Sequence, residues 1–256
     1  MVVEMVFEYH WTVPELNLKK HRKIDAHAHI QELGDPFNVG ITERDMLRLM
    51  EEYSIELAVI SDVDNEKIMR IVRGNPDRFI GIYWANPRAE SPKEAEDNII
   101  NSGFRGIKLH PLLHMFRPSS VRVRKIVEIA GKLGIPVFIH TGHAPTSLPS
   151  QVARLVKDFP DVKFVFVHMG HGNAYYIQEA IDIGKELDNV YLETSGMPMS
   201  SKIAEAYLEV PDRVMFGTDV PCHHPAVEIV KVLSSGLNEK ALRKVFYENA
   251  KELLEL

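Results

Sequence analysis

Only one cysteine, Cys222, occurs in 256 residues. No disulfide can form within the chain, and a reducing cytosolic setting is the expectation. No apolar run approaches the roughly 20 residues of a membrane span, so no membrane partner is expected. Positive charge is not in excess: Lys+Arg 30 against Asp+Glu 36 gives a formal net charge of −6. That balance argues against a nucleic-acid surface. Low-complexity tracts and solenoid-type repeats are missing as well. The opening stretch, MVVEMVFEYHWTVPELNLKKHRK, carries Glu4, Glu8 and His10 among its apolar residues. It lacks the basic-then-apolar order and small-residue cleavage site of an export signal. Residues 1–22 therefore read as an extension packed on one domain spanning 23–256.

Hydrophobic residues make up 45% of the chain, enough for one large core. The length suits a single (β/α)8 barrel, typically about 250 residues. Short β-rich runs alternate with helical stretches. The runs are 23–30, 56–61, 78–86, 104–111, 135–142, 162–170, 189–195 and 212–221. Between them lie amphipathic segments such as TERDMLRLMEEY, where Met46, Leu47 and Met50 read as helix core. Ser91 followed by Pro92 predicts a capped helix start, and Gly74-Asn75-Pro76 predicts a helix stop. The last helix, Asn238 to Leu254, is expected to break near Glu248. Eight strands alternating with helices imply parallel pairing, because each crossover uses a helix. An open doubly wound sheet is the alternative, but it gathers its ligands at one switch point. Here most strand ends carry a polar group.

Strand side chains alternate between faces. In KIDAHAHI, alternation places Ile24, Ala26, Ala28 and Ile30 under the helices and Asp25, His27 and His29 toward the barrel axis. The same parity turns Gly106, Lys108 and His110 inward, then Phe138 and His140, Phe166 and His168, and Gly217 and Asp219. Polar groups crowded there must pair with one another or with a metal. Active sites of such barrels lie at the C-terminal ends of the strands. Two imidazoles flanked only by Ala read as metal ligands, and neutral imidazole with carboxylate is a catalytic zinc-type set. His168 reads equally as ligand or as acid/base. His110 reads as a substrate contact or a support for ligands, since Pro111 turns the chain at once. Trp84 and Arg117 are candidate substrate contacts by their places after strands 3 and 4. His143, His171, His223 and His224 lie in post-strand loops, where a solvated role is the ordinary reading. Cys222 reads as a small buried side chain.

At IDAHAHI, KLHP, IHTG, VHMG and FGTDVP the chain resembles the amidohydrolase superfamily. It is most similar to the amidohydrolase-related (amidohydrolase 2) branch, which includes aminocarboxymuconate-semialdehyde decarboxylase-like enzymes. The terminal ENAKELL also resembles that branch's last helix. The resemblance implies one divalent ion, zinc by preference, on His27, His29, His140 and Asp219, with His168 a catalytic acid/base beside Asp219. Taken with the strand-end positions, substrate contacts are expected at Lys108, His110, Arg117 and His171. KLHP is also similar to a dihydroorotase-like pattern in which the lysine is carboxylated. Lys108 and His168 would then serve a second metal. One ion is the preferred count, with a free Lys108 anchoring a substrate carboxylate.

The implied activity is hydrolysis of a C–N or ester bond in a small molecule by metal-activated water. Decarboxylation of a small carboxylic acid is the alternative, and a non-catalytic metal-binding protein is the alternative of another class. A histidinol-phosphatase-type phosphoesterase would favour a late Asp-x-His, where Asp219 is instead followed by Pro221. A TatD-like nuclease would want Glu in place of Lys108. A homodimer is compatible with all of these readings.

Overall fold

In the computed structural model, which describes residues 16–256, the alternating runs become the staves of a barrel. The strands are β1 (Lys23–Ala28), β2 (Ile55–Ile60), β3 (Phe79–Gly81, resuming at Tyr83–Ala85), β4 (Ile107–Leu109), β5 (Val137–His140), β6 (Phe164–Val167), β7 (Val190–Glu193) and β8 (Val214–Met215). Every neighbouring pair from β1 to β8 is parallel. Backbone hydrogen bonds close the ring. Ala26 N donates to Phe216 O at 2.9 Å, Asp219 N to His27 O at 2.8 Å, and His29 N to Val220 O at 2.8 Å. The first strand therefore pairs with the segment that runs on from the last. A short hairpin, Glu32–Leu33 with Val39–Gly40, interrupts the loop after β1 and was not expected.

The crossover helices are α1 (Glu43–Tyr53), α2 (Asn65–Gly74), α3 (Pro92–Ser102), α4 (Val121–Leu133), α5 (Pro149–Val156), α6 (Ala174–Glu186), α7 (Ser200–Glu209) and α8 (Pro225–Leu233). Ser91 and Glu94 form the reciprocal capping box of α3, with Pro92 in its first turn. The terminal helix runs Glu239–Arg243, loosens into a π-helical turn at Lys244–Glu248, and resumes at Asn249–Leu253. The break expected near Glu248 is this turn. Arg105, just ahead of β4, donates to Leu254 O at 2.6 Å, so the terminal helix closes the N-terminal end of the barrel. No described helix is long and apolar enough to cross a membrane.

Two apolar layers result. The larger lies between strands and helices. The smaller fills the barrel with Ile24, Ala26, Val59, Ile82, Phe138 and Met215, stopped below by Leu253 and Leu254. Each such side chain, removed from water, contributes about 1.5–3 kcal/mol.

Strict alternation holds on most strands and fails on two. On β1, Ile24 and Ala26 join the barrel interior, whereas Ala28 and Ile30 pack in the outer layer. The four residues do not share a face. The register explains this: Asp25 pairs with Ala58 and Ala28 with Ile60, so three steps on β1 answer two on β2. That one-residue bulge flips the parity and turns His27 and His29 inward. On β6, Val165 and Val167 face inward and Phe166 outward, opposite to the expectation. His168 still reaches the interior because the strand ends before it and its φ is +67°.

Of the extension expected at 1–22, residues 1–15 lie outside the described residues. The remainder is tied to the barrel by Lys23, whose ammonium donates to the carbonyls of Leu18, His21 and Tyr53 at 2.8, 2.7 and 2.9 Å.

Candidate active site

Three of the expected ligands converge at the seam between β1 and β8. Asp219 Oδ1 lies 3.3 Å from His27 Nε2 and 3.3 Å from His29 Nε2. Second contacts fix which nitrogens face each other. His29 Nδ1 donates to the Ser61 carbonyl at 2.8 Å, which leaves Nε2 bare. His27 Nδ1 is buried and has no hydrogen-bond partner among the described residues. Burial holds the His27 imidazole far below its ordinary protonation range, to about 3, helped by the Lys108 charge. For Asp219, burial acts upward, but the imidazoles of His168, His27 and His29 outweigh it and hold the carboxyl well below its usual range. Two imidazole nitrogens and a carboxylate around one point fit a divalent transition ion with open positions.

Lys108 and His168 complete the floor. Lys108 is 1% exposed, and its Nζ stands 3.3 Å from His27 Nε2. Desolvation lowers its ammonium to about 8, against the pull of Asp219 and Glu193. His168 Nδ1 donates to Ser195 O at 2.9 Å and lies 3.0 Å from Ser195 Oγ. Its Nε2 is thereby the bare nitrogen. Ser195 Oγ donates to Glu193 Oε2 at 2.8 Å, and His168 N donates to the same oxygen at 3.1 Å. Glu193 thus positions His168 through Ser195. Left-handed backbone at His168 (φ +67°) and Asp219 (φ +55°) places both side chains, and strain of this kind gathers at functional sites.

His140 is the fourth expected ligand. Its ring lies beside His168, 4.9 Å between centroids, but Nε2 is 3.0 Å from His143 Nδ1. His110 stacks on His140 at 4.0 Å and lines the cavity, as does Trp84, whose Nε1 donates to His114 Nε2 at 2.8 Å. His171 also lines the cavity and stacks on His168 at 4.5 Å. Arg117 does not line it; the side chain is exposed beyond the β4 loop. Cys222 is exposed at the mouth rather than buried, because the chain emerges from β8 there. Partial desolvation and the Asp219 charge push its thiol up to about 11, the opposite of an activated nucleophile. His224 caps α8 through Nδ1, which accepts from Ala226 N at 3.2 Å. The cavity above the floor measures about 1290 Å³, with Leu33, Phe37, Val63 and Leu113 on its apolar wall.

The sequence matches the amidohydrolase family over residues 24–256. The chain belongs to the amidohydrolase family. That family is one of enzymes. No curated protein matches it in sequence. Solved structures share its fold. An uncharacterised TIM-barrel protein from Bordetella bronchiseptica superposes with a TM-score of 0.74 at 21% identity, over 91% of this chain and 98% of that one. 2,6-Dihydroxybenzoate decarboxylase from Rhizobium gives 0.72 at 18% identity, over 92% and 99%. 5-Carboxyvanillate decarboxylase from Novosphingobium aromaticivorans gives 0.73 at 14%, over 93% and 97%. The last was solved with manganese and 4-hydroxy-3-methoxy-5-nitrobenzoic acid.

Sequence reasoning missed Ser61, Ser195 and the role of Glu193 in this amidohydrolase. None carries a motif. Glu193 is an acidic residue ending an apolar strand, which is the signal that could have found it. His143 was read as a solvated loop residue, yet it is half-buried against His140 and His171.

Proposed function

We propose that this amidohydrolase is a divalent-metal-dependent decarboxylase of a small carboxylic acid, with His27, His29 and Asp219 as the metal ligands. The observation that carries the reading is the buried Lys108 ammonium, 3.3 Å from His27 Nε2 at the floor of an apolar-walled cavity. A cation in that place suits a substrate carboxylate, and a neutral amide or ester has no need of it. Two of the structural relatives are decarboxylases of aromatic acids, one solved with manganese, which supports the same reaction class.

His27, His29 and Asp219 would hold the ion, zinc in our reading, and it would supply Lewis-acid charge for polarising substrate oxygens. Lys108 anchors the carboxylate, and the walls exclude water from the reacting carbon. The bond from that carbon to the carboxylate breaks, its electron pair stays on the carbon, and CO₂ leaves. The carbon then takes a proton from Nε2 of His168. In the tautomer held by Ser195 that nitrogen is bare; burial holds the imidazole well below its ordinary protonation range, so it relays a proton from solvent as charge develops on the carbon and does not store one. Hydrolysis of a C–N or ester bond is the second reading, because the same bare Nε2 suits acceptance of a proton from water.

The test is a panel of aromatic and aliphatic carboxylic acids beside matching amides and esters, with zinc- and manganese-loaded enzyme. CO₂ release is the expected product. Lys108→Met should raise KM for the acid by about 10–100-fold, the value of one lost charge-assisted contact, with bound metal retained. Turnover of amides or esters without CO₂ from any acid would overturn the decarboxylase assignment in favour of hydrolysis.

A further inference from the structure

The turn after β4 fixes one histidine in a proton arrangement unlike that of its neighbours. Pro111 bends the chain, and His114 N donates to His110 O at 3.1 Å, closing a single turn. Within it, Leu113 N donates to His110 Nδ1 at 3.1 Å. A backbone N–H can only donate, so Nδ1 is the acceptor and the ring's one proton sits on Nε2. His29 and His168 are the reverse: each donates from Nδ1 to a carbonyl, at 2.8 and 2.9 Å, and leaves Nε2 bare. A bare nitrogen can ligate an ion or take up a proton. The Nε2–H of His110 can do neither and donates instead. It has no hydrogen-bond partner among the described residues, and the ring lines the cavity. Rings from the adjacent strands fix its plane. Trp84 of β3 lies 5.8 Å away between centroids and His140 of β5 4.0 Å, their planes tilted 24° and 14° from it. Trp84 is itself tied down: Nε1 donates to His114 Nε2 and its backbone N to Asn65 Oδ1, each at 2.8 Å.

We propose that His110 is a catalytic residue whose Nε2–H is a neutral, preorganised donor to a substrate carbonyl oxygen that gains negative charge in the reaction. This role rests on the decarboxylase reading above. When the bond to CO₂ breaks, the electron pair left on the carbon needs a sink. A carbonyl on the next carbon provides one, so the substrate class is a 3-oxo carboxylic acid. The pair moves into conjugation with that carbonyl, whose oxygen becomes an enolate. His110 keeps its proton and holds the charge by a hydrogen bond. When the carbon takes its proton by way of His168, the pair returns and the carbonyl reforms. A neutral imidazole can serve as such an electrophile. Being fixed, it needs no reorganisation as charge appears, and its contact strengthens from carbonyl to enolate. Lys108, the alternate residue on β4, also lines the cavity and supplies the cation for the carboxylate, so the second donor is free for the second oxygen.

Two measurements on zinc-loaded full-length protein test this. Two-bond proton–nitrogen NMR of the imidazoles reads the tautomer, with His110 identified by the signal lost in His110→Gln. A protonated Nε2 and a bare Nδ1 are expected, and a proton on Nδ1 would overturn the role whichever reaction is catalysed. The second is CO₂ release from benzoylacetate above its uncatalysed rate, beside 3-hydroxy-3-phenylpropanoate, which lacks the carbonyl and should be inert. His110→Phe keeps a ring between Trp84 and His140 without the donor and should lower kcat by about 10²–10³-fold with KM little changed. His110→Gln should recover part of that loss, because its amide N–H reaches the place of Nε2. Metal content should be equal in all three. An unchanged kcat in His110→Phe, or a raised KM with kcat kept, would overturn the electrophile. CO₂ from other acids but not from benzoylacetate would overturn the substrate class and leave the decarboxylase reading standing. Turnover of amides or esters alone would sink that reading and this role with it. Circular dichroism checks each fold; should His110→Phe not fold, His110→Leu takes its place as the variant without a donor.

Discussion

Asp25 accepts a hydrogen bond from Thr218 Oγ1 at 2.5 Å, across the seam where the barrel closes. The same carboxyl accepts from Thr218 N at 2.9 Å and His27 N at 3.1 Å. Asp25 is two residues from His27, and Thr218 is next to Asp219. One buried side chain therefore sets the spacing of two ligand-bearing segments. Asp25→Ala leaves Thr218 Oγ1 and His27 N short of their acceptor in a buried place, while Thr218 N keeps the His27 carbonyl at 3.2 Å, and we expect a loss of about 3 kcal/mol in unfolding free energy. Cobalt affinity should fall with it, because the His27–Asp219 spacing loses its brace. Urea unfolding of the metal-free protein measures the first effect and competition with a chelator the second. An unchanged unfolding midpoint would show that the seam is held by the backbone bonds alone.

The link from Glu193 through Ser195 to His168 predicts a graded kinetic series. His168→Asn removes the proton carrier and should lower kcat by about 10²–10⁴-fold. Ser195→Ala keeps the carbonyl that accepts from Nδ1 and loses only the hydroxyl, so we expect about a tenfold fall in kcat with KM little changed. Both variants should bind metal as the wild type does. Metal loss in His168→Asn would make His168 a ligand and not an acid/base.

Much of this arrangement was legible in the amino-acid order. The eight β-rich runs and their helices gave the barrel, because a period of two and a period near 3.6 are hard to confuse over such lengths. The strand-end histidines and Asp219 were visible because polar groups rarely end an apolar strand without a partner. What could not be seen was how the backbone departs from regular strand geometry. The bulge on β1 has no residue signature, so strict alternation put Ala26 on the wrong layer. Left-handed backbone at His168 is nearly as silent, because histidine is enriched at positive φ but adopts it in only a small share of cases, and Phe166 was misplaced with it. The exposure of Arg117 and Cys222 depends on loop paths, which periodicity does not encode. Ser195 and Ser61 were beyond reach for another reason: each acts through one hydrogen bond to a histidine distant in sequence.

Glu193 makes the metal-free protein's stability depend on pH in a defined direction. Burial pushes its carboxyl up to about 8 from an ordinary 4.5, more than the hydrogen bonds from Ser195 and His168 pull it down. Between those two values the folded protein holds a proton that the unfolded chain has released. The contribution of this group to stability is therefore full below about 4.5 and is lost as pH rises toward about 8. Asp25 acts in the same sense up to about 7. His27 acts in the opposite sense: held at about 3, it refuses a proton that the unfolded chain accepts below 6.5, so stability falls as pH falls through that window. Raw melting curves therefore mix both signs. Glu193→Gln isolates one of them, because the amide keeps an oxygen acceptor and cannot ionise. The wild-type Tm minus the Glu193→Gln Tm should decline steadily from about pH 5 to about pH 8 in metal-free protein. A difference that stays flat across this range would mean that Glu193 is already ionised in the folded protein and that burial does not hold its proton.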